Sequence, residues 1–322
     1  MQTSKTFDLA RIASKPCIRD IDGKQEVMVL DSKNTLHLLS PEGQCSIEYG
    51  RAGIRHEDFF DTKIMPYNPP SITTGEETIF GLDDGRIFNI DRYGRTIWQY
   101  STEGPLTTPI RHNGHVFIGT RKGVLALKEG RQQWLRETGQ VLSLTLMELN
   151  NKMVLVAGGE DNNAYCMDLG GGLCWSYKTK GMIVADPEKY KNVLKIGSFD
   201  GYSYTLSGKG ELIEKRYLGS IISQSVAGKS LITSTLNQTF VNERPLPYHS
   251  MAKPEISGDS LIFKGPWSLQ IASINAPERK YKKYLLDHNP LFTPKILKGK
   301  YESFIVTAEE KRINLIGIKS TR

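Results

Sequence analysis

Few residues in this 322-residue chain have the types and spacing to do chemistry, and they are dispersed. Asp83-Asp84-Gly85 and Phe199-Asp200-Gly201 set carboxylates beside glycine, as an acid catalyst or a calcium loop would. The calcium pattern D-x-D-x-D-G is nowhere complete. Asp beside Gly is also what a tight hairpin turn selects, through side-chain to backbone hydrogen bonds, and that reading prevails. His112 and His115 form an H-x-x-H that straddles a turn, without the one-face helical geometry of a zinc protease. The other histidines, 37, 56, 249 and 288, read as isolated surface or core residues. GGGLCW at 170–175 does not lead from a strand into a helix, and no P-loop Lys-Ser/Thr follows. Cys17, Cys45, Cys166 and Cys174 include no C-x-x-C pair and read as free, mostly buried thiols. The expectation is no catalytic set, no metal and no cofactor.

The elements that carry these residues repeat. TIFGLDDGRIFNIDRYGRTIWQY (78–100) reads as strand, glycine turn, strand, glycine turn, strand. Aligned copies put the first turn at Asn34, Gly85, Gly123, Asn163 and Gly201, with spacings of 51, 38, 40 and 38. A two-residue hairpin turn with φ > 0 accounts for Gly and Asn there. In the second turn Gly94 precedes Trp98 by four, Gly130 precedes Trp134 by four and Gly171 precedes Trp175 by four. Glu214 takes the tryptophan slot in the next copy, and Ile47 takes it in the first. A further strand leads each copy, so the unit is a four-stranded antiparallel meander of about 40 residues, the signature of a propeller blade. One all-β domain over 1–322 is expected. Eight blades are preferred, or seven if the degenerate copy at 261–274 is discarded. An N-terminal strand in KTFDLARI would complete the last blade and remove an open edge.

These residues resemble the quinoprotein-like (PQQ-type) β-propeller family. Ile79-Phe80-Gly81, Asp84-Gly85, Ile87-Phe88, Asp91, Gly94 and Trp98 match its blade pattern, and Ile196-Gly197-Ser198, Asp200-Gly201 and Tyr202 match the first half. The resemblance implies that Trp98, Trp134 and Trp175 are blade-docking residues. Trp267 lies outside that slot. Quinone-dependent enzymes of the family resemble longer, exported chains with a vicinal disulfide and acidic calcium ligands near the axis. This sequence has no adjacent cysteines, and its inner strands show no evident carboxylate set. A non-enzymatic member is expected.

Binding surfaces are the remaining candidates. The first spacing is about a dozen residues too long, which places an insertion loop at 51–68 between the first two blades. Loops on a rigid scaffold carry binding. Here Phe59, Phe60 and Tyr67 would anchor a partner, with Arg51 and Arg55 beside them. The alternative is a loop that buries its own aromatics. Net charge is +7, of which residues 245–322 carry +6. Much of that is RKYKKY, with Arg279, Lys280, Lys282 and Lys283 as a candidate basic patch for nucleic acid. An outer strand whose lysines prevent edge aggregation explains it equally physically.

The function expected is therefore a protein–protein interaction scaffold or recognition subunit. The alternatives are nucleic-acid binding through the basic quarter and a small-ligand or quinone-type site in the central channel. No run of 18 apolar residues suggests a membrane span. MQTSKTFDLARIASKP has neither an apolar h-region nor a lipobox-like cysteine, so a cytoplasmic location is expected.

Overall fold

A computed structural model describes residues 3–12, 16–21, 23–33, 35–48, 72–73, 77–82, 84–250, 252–257, 260–275, 281–287, 289–290, 294–298 and 303–318. Every regular element among them is a β-strand, and none of them forms a helix long and apolar enough to cross a membrane. The strands make eight four-stranded antiparallel sheets, the blades of a β-propeller. Blades 1 to 7 span 17–48, 72–101, 110–137, 141–178, 188–217, 221–245 and 255–285, each a meander in chain order from inner to outer strand. The copy at 261–274 is thus part of a complete blade, and the count is eight.

Blade 8 is closed as the sequence suggests. Strands Lys295–Lys298, Ser303–Ala308 and Arg312–Ile318 supply three of its four positions. Thr3–Asp8 pairs antiparallel with Arg312–Ile318, setting Thr6 opposite Asn314 and Asp8 opposite Arg312. Ion pairing of Arg312 with Asp8 at 2.8 Å reinforces the register.

The turns correct the expected geometry. In blade 5 Ser198 and Tyr202 flank a three-residue loop in which the Gly201 amide donates to the Ser198 carbonyl and Gly201 has φ +94°. This is a tight turn ending in one left-handed residue, not a two-residue loop. In blade 4 the left-handed residue is Asn162, at φ 71°, not Asn163, which begins the next strand. Asp84 and Asp161 each accept a backbone amide two residues on, from Arg86 and Asn163, so the Asp beside the turn is structural.

The core lies between blades. Phe7, Val306 and Leu315 of blade 8 pack with Val27, Val29 and Leu39 of blade 1. Comparable apolar clusters join blades 1 and 2, 2 and 3, 3 and 4, 4 and 5, 6 and 7, and 7 and 8. Phe7 is 6% exposed. Phe7→Ala should lower stability in denaturant unfolding by about 3 kcal/mol, as for other buried aromatics. An unchanged midpoint would show that Thr3–Asp8 does not close the ring.

Candidate interaction surface

The three tryptophans dock blades in succession. Trp98 lies on Gly130 of the next blade, Trp134 on Gly171 and Trp175 on Gly210; a Cβ on these glycines would come within 2.6–2.8 Å of the tryptophan side chains. The Trp134 and Trp175 ring N–H groups donate to Leu169 O at 3.1 Å and Gly208 O at 3.2 Å. Strand register defines the rest of each docking face. Blade 2 presents Ile79, Asn89 and Trp98, then Ile87 and Tyr100. Blade 3 presents Phe117, Ala126 and Trp134, then Val124 and Arg136. Blade 4 presents Val156, Cys166 and Trp175, then Ala164 and Tyr177.

Blade 5 breaks the series. The equivalent positions are Lys195, Thr205 and Glu214, then Ser203 and Arg216. The seam between blades 5 and 6 is accordingly polar, and among the described residues it is the one seam without an apolar cluster. Buried Lys195 donates to Thr205 Oγ1 at 2.8 Å and pairs with Glu243 at 3.1 Å. Glu243 also receives Arg216 at 2.6 Å. Tyr190 donates to Asn242 Oδ1 at 2.9 Å. Asn242 and Glu243 form the two-residue outer turn of blade 6, both left-handed. Gln224, 1% exposed, finds no protein partner for either amide atom, nor does the Ser203 hydroxyl.

The rim beside this seam is bare. All six residues of Leu212–Tyr217, the outer strand of blade 5, are exposed. Blade 6 ends in a two-residue outer strand, Arg244–Pro245. On its far side, Tyr284 packs toward blade 8, so Tyr281, Lys283 and Leu285 of the outer strand Tyr281–Leu285 face blade 6. Tyr281 meets Tyr248 there at 4.7 Å between ring centroids. Leu285 is 76% exposed and Trp267 57%. Trp267 sits at a hairpin tip with φ 52° and accepts the Leu286 amide at 2.9 Å.

Other expected sites fall as follows. Arg51, Arg55, Phe59, Phe60 and Tyr67 lie outside the described residues, as do Arg279 and Lys280. Lys282 and Lys283 are exposed on the outer strand of blade 7, pointing to opposite faces. His112 and His115 flank a turn at Asn113-Gly114. Of the cysteines only Cys166 is buried, with burial and the adjacent Cys174 pushing its thiol up to about 12; Cys45 and Cys174 are exposed because they sit on outer strands.

Two arrangements escape the sequence. Carboxylates on or just before the inner strands do exist: Lys253 reaches Asp186 at 3.1 Å and Glu188 at 3.0 Å, from the approach to blade 7 to blade 5, and Lys295 pairs with Glu255. Lysines neutralise them, and no group of three metal-ligating side chains occurs among the described residues. His37 is not isolated either. Its Nε2 lies 3.0 Å from Asp31 Oδ2 and its Nδ1 2.9 Å from Ser46 Oγ. This has the membership of a hydrolytic triad, but the imidazole nitrogens are exchanged relative to that template. Tyr165 and Tyr204 make the same strand-to-turn contact with Asp161 and Asp200, so the contact fixes the turn.

No family model matches the chain, and no curated protein does. Solved structures do resemble it. The chain is similar to the computationally designed Ika8 protein, with a TM-score of 0.70, 12% identity, and coverage of 97% of this chain and 99% of that one. It is similar to BamB from Moraxella catarrhalis, with a TM-score of 0.65, 13% identity, and 98% and 99% coverage. It is also similar to Saccharomyces cerevisiae Sqt1, with a TM-score of 0.72, 12% identity, and 98% coverage of each chain. Identities this low show the fold, an eight-bladed propeller.

Gly210 and Gly114 separate docking from turn strain. Both are left-handed, at φ +82° and +75°, but only Gly210 would bring a Cβ against an indole. Gly114→Ala should cost about 1 kcal/mol and Gly210→Ala clearly more; equal losses in thermal melts would refute tryptophan docking. Burial alone would raise the Glu243 carboxyl, but the bonds from Lys195 and Arg216 outweigh it and hold it below its ordinary 4.5. A depressed carboxylate contributes stability that is complete above the unfolded value and lost as pH falls through the folded one. Glu243→Gln should therefore cost about 3 kcal/mol near pH 7, with the gap to wild type narrowing in acid. A constant gap from pH 7 to pH 3 would exclude the ion pair as its cause.

Proposed function

We propose that the protein is a non-catalytic, quinoprotein-like propeller that recognises other proteins as a scaffold or recognition subunit of a cytoplasmic assembly. The observation that carries this reading is the sector of blades 5 to 7. On the outer strands of blades 2 to 4 the tryptophans Trp98, Trp134 and Trp175 are half covered by the next blade, and one large apolar side chain stands exposed on blade 2, Ile97, and one on blade 4, Leu173. Here Leu212, Ile213, Tyr217, Trp267 and Leu285 stand between 45% and 76% exposed. Clustered apolar side chains rimmed by charge mark interaction surfaces, and Trp and Tyr dominate their energetics. Trp267 adds a bulky residue in a left-handed conformation, a strained state that tends to persist where it serves a purpose.

The test is affinity purification of the full chain from native lysate with chemical cross-linking, alongside turnover assays on small-molecule substrates. A stable protein partner cross-linked to the propeller is expected. No partner, together with measured turnover, would overturn the reading.

A further inference from the structure

We propose that the outer edge of blade 6, overhung by the outer strands of blades 5 and 7, is a docking site for an extended acidic segment of a partner protein; this deepens, and rests on, the interaction reading above. Blade 6 has two residues in its outer strand, whereas its neighbours have six and five. The rim steps inward there, with Glu214 and Arg216 on the blade 5 side and Lys283 and Leu285 on the blade 7 side, where Tyr248 packs on Tyr281. Arg244, exposed, lies at that step.

Charge selects the occupant. Glu243 is already engaged by Lys195 and Arg216, so Glu214 is the one exposed carboxylate among these residues. Arg216 is held by that same Glu243, while Arg244 and Lys283 are exposed. An acidic segment meets the two remaining cations, Arg244 and Lys283, across a surface where field and contact act together. The apolar residues select its class. Leu285, the most exposed large hydrophobic of the described chain, offers an aliphatic surface that suits a peptide side chain and gives a nucleobase nothing to stack on. An extended segment fits because the site is an edge between parallel-lying strands rather than a closed pocket.

The probe is a fluorescein-labelled octapeptide of alternating glutamate and leucine, read by anisotropy with the full-length protein. A lysine–leucine octapeptide and a labelled single-stranded oligonucleotide serve as comparisons. Saturable binding of the acidic peptide is expected, weakening with added salt. The R244E/K283E double variant should bind at least about tenfold more weakly and Leu285→Ser several-fold more weakly, as removal of a charge pair or an apolar anchor does. Arg131→Glu, on the exposed outer strand of blade 3, should bind like wild type, and thermal melts should show all variants folded. The proposal is overturned if the acidic peptide does not bind, if the basic peptide binds as well, or if R244E/K283E binds unchanged. Tighter binding of the oligonucleotide, insensitive to Leu285→Ser, would reassign the surface to nucleic acid. Protein partners whose cross-links map to another sector would overturn the docking site while leaving the interaction reading intact.

Discussion

A β-sheet with apolar side chains on both faces cannot stand alone in water, and each blade of this ring depends on the next to cover one of those faces. The approach must be close for the cover to be dry. Gly81, Gly119, Gly158 and Gly197 occupy one equivalent position on four successive blades, and a Cβ on any of them would come within 2.4–2.5 Å of a side-chain atom across or beside the seam. On the first three of these seams a tryptophan then fixes the outer part over a glycine turn. Spacing near the axis and docking at the rim are set by different residues, which lets one vary while the other is kept.

The seam between blades 5 and 6 uses that freedom. Gly197 keeps the close approach, while the apolar row around it gives way to Lys195, Ser203, Thr205, Glu214 and Arg216. Buried ion pairs are weak contributors to stability compared with well-packed hydrocarbon of similar volume. Their arrangement here places two cations on one carboxylate, and the unpartnered Gln224 amide adds a desolvation cost. The ring therefore concentrates its polar interior in one sector, and the same sector leaves its rim uncovered.

Much of the architecture is readable in the sequence because it is periodic. Gly94 to Trp98, Gly130 to Trp134 and Gly171 to Trp175 keep one interval, and the outer strand missing from the last repeat points to KTFDLARI at the other end of the sequence. Blade 7 is harder to see because Pro266 and Trp267 replace the usual turn residues. Asn162 and Asn163 are chemically alike, so the sequence does not distinguish which of them is the left-handed residue, Asn162. The polar seam was half visible: Glu214 stands plainly in a tryptophan slot, but its companions Lys195 and Ser203 acquire meaning only through cross-strand register. Lys253 gave no signal, since its partners Asp186 and Glu188 lie more than sixty residues away in sequence. The Asp31–His37–Ser46 row is equally silent, because turn, strand and neighbouring strand each contribute one residue.

Closure of blade 8 by Thr3–Asp8 has a kinetic meaning. Seven blades are built from contacts within about 40 residues, whereas the Thr6–Asn314 bond joins positions 308 residues apart. Local meanders can form early, but the final sheet waits on a loop spanning nearly the whole chain, and closing so long a loop is an entropic barrier that local contacts do not lower. The ring is then a late event in folding, and until it happens the edge of Arg312–Ile318 stands open as a template for any other strand that arrives first.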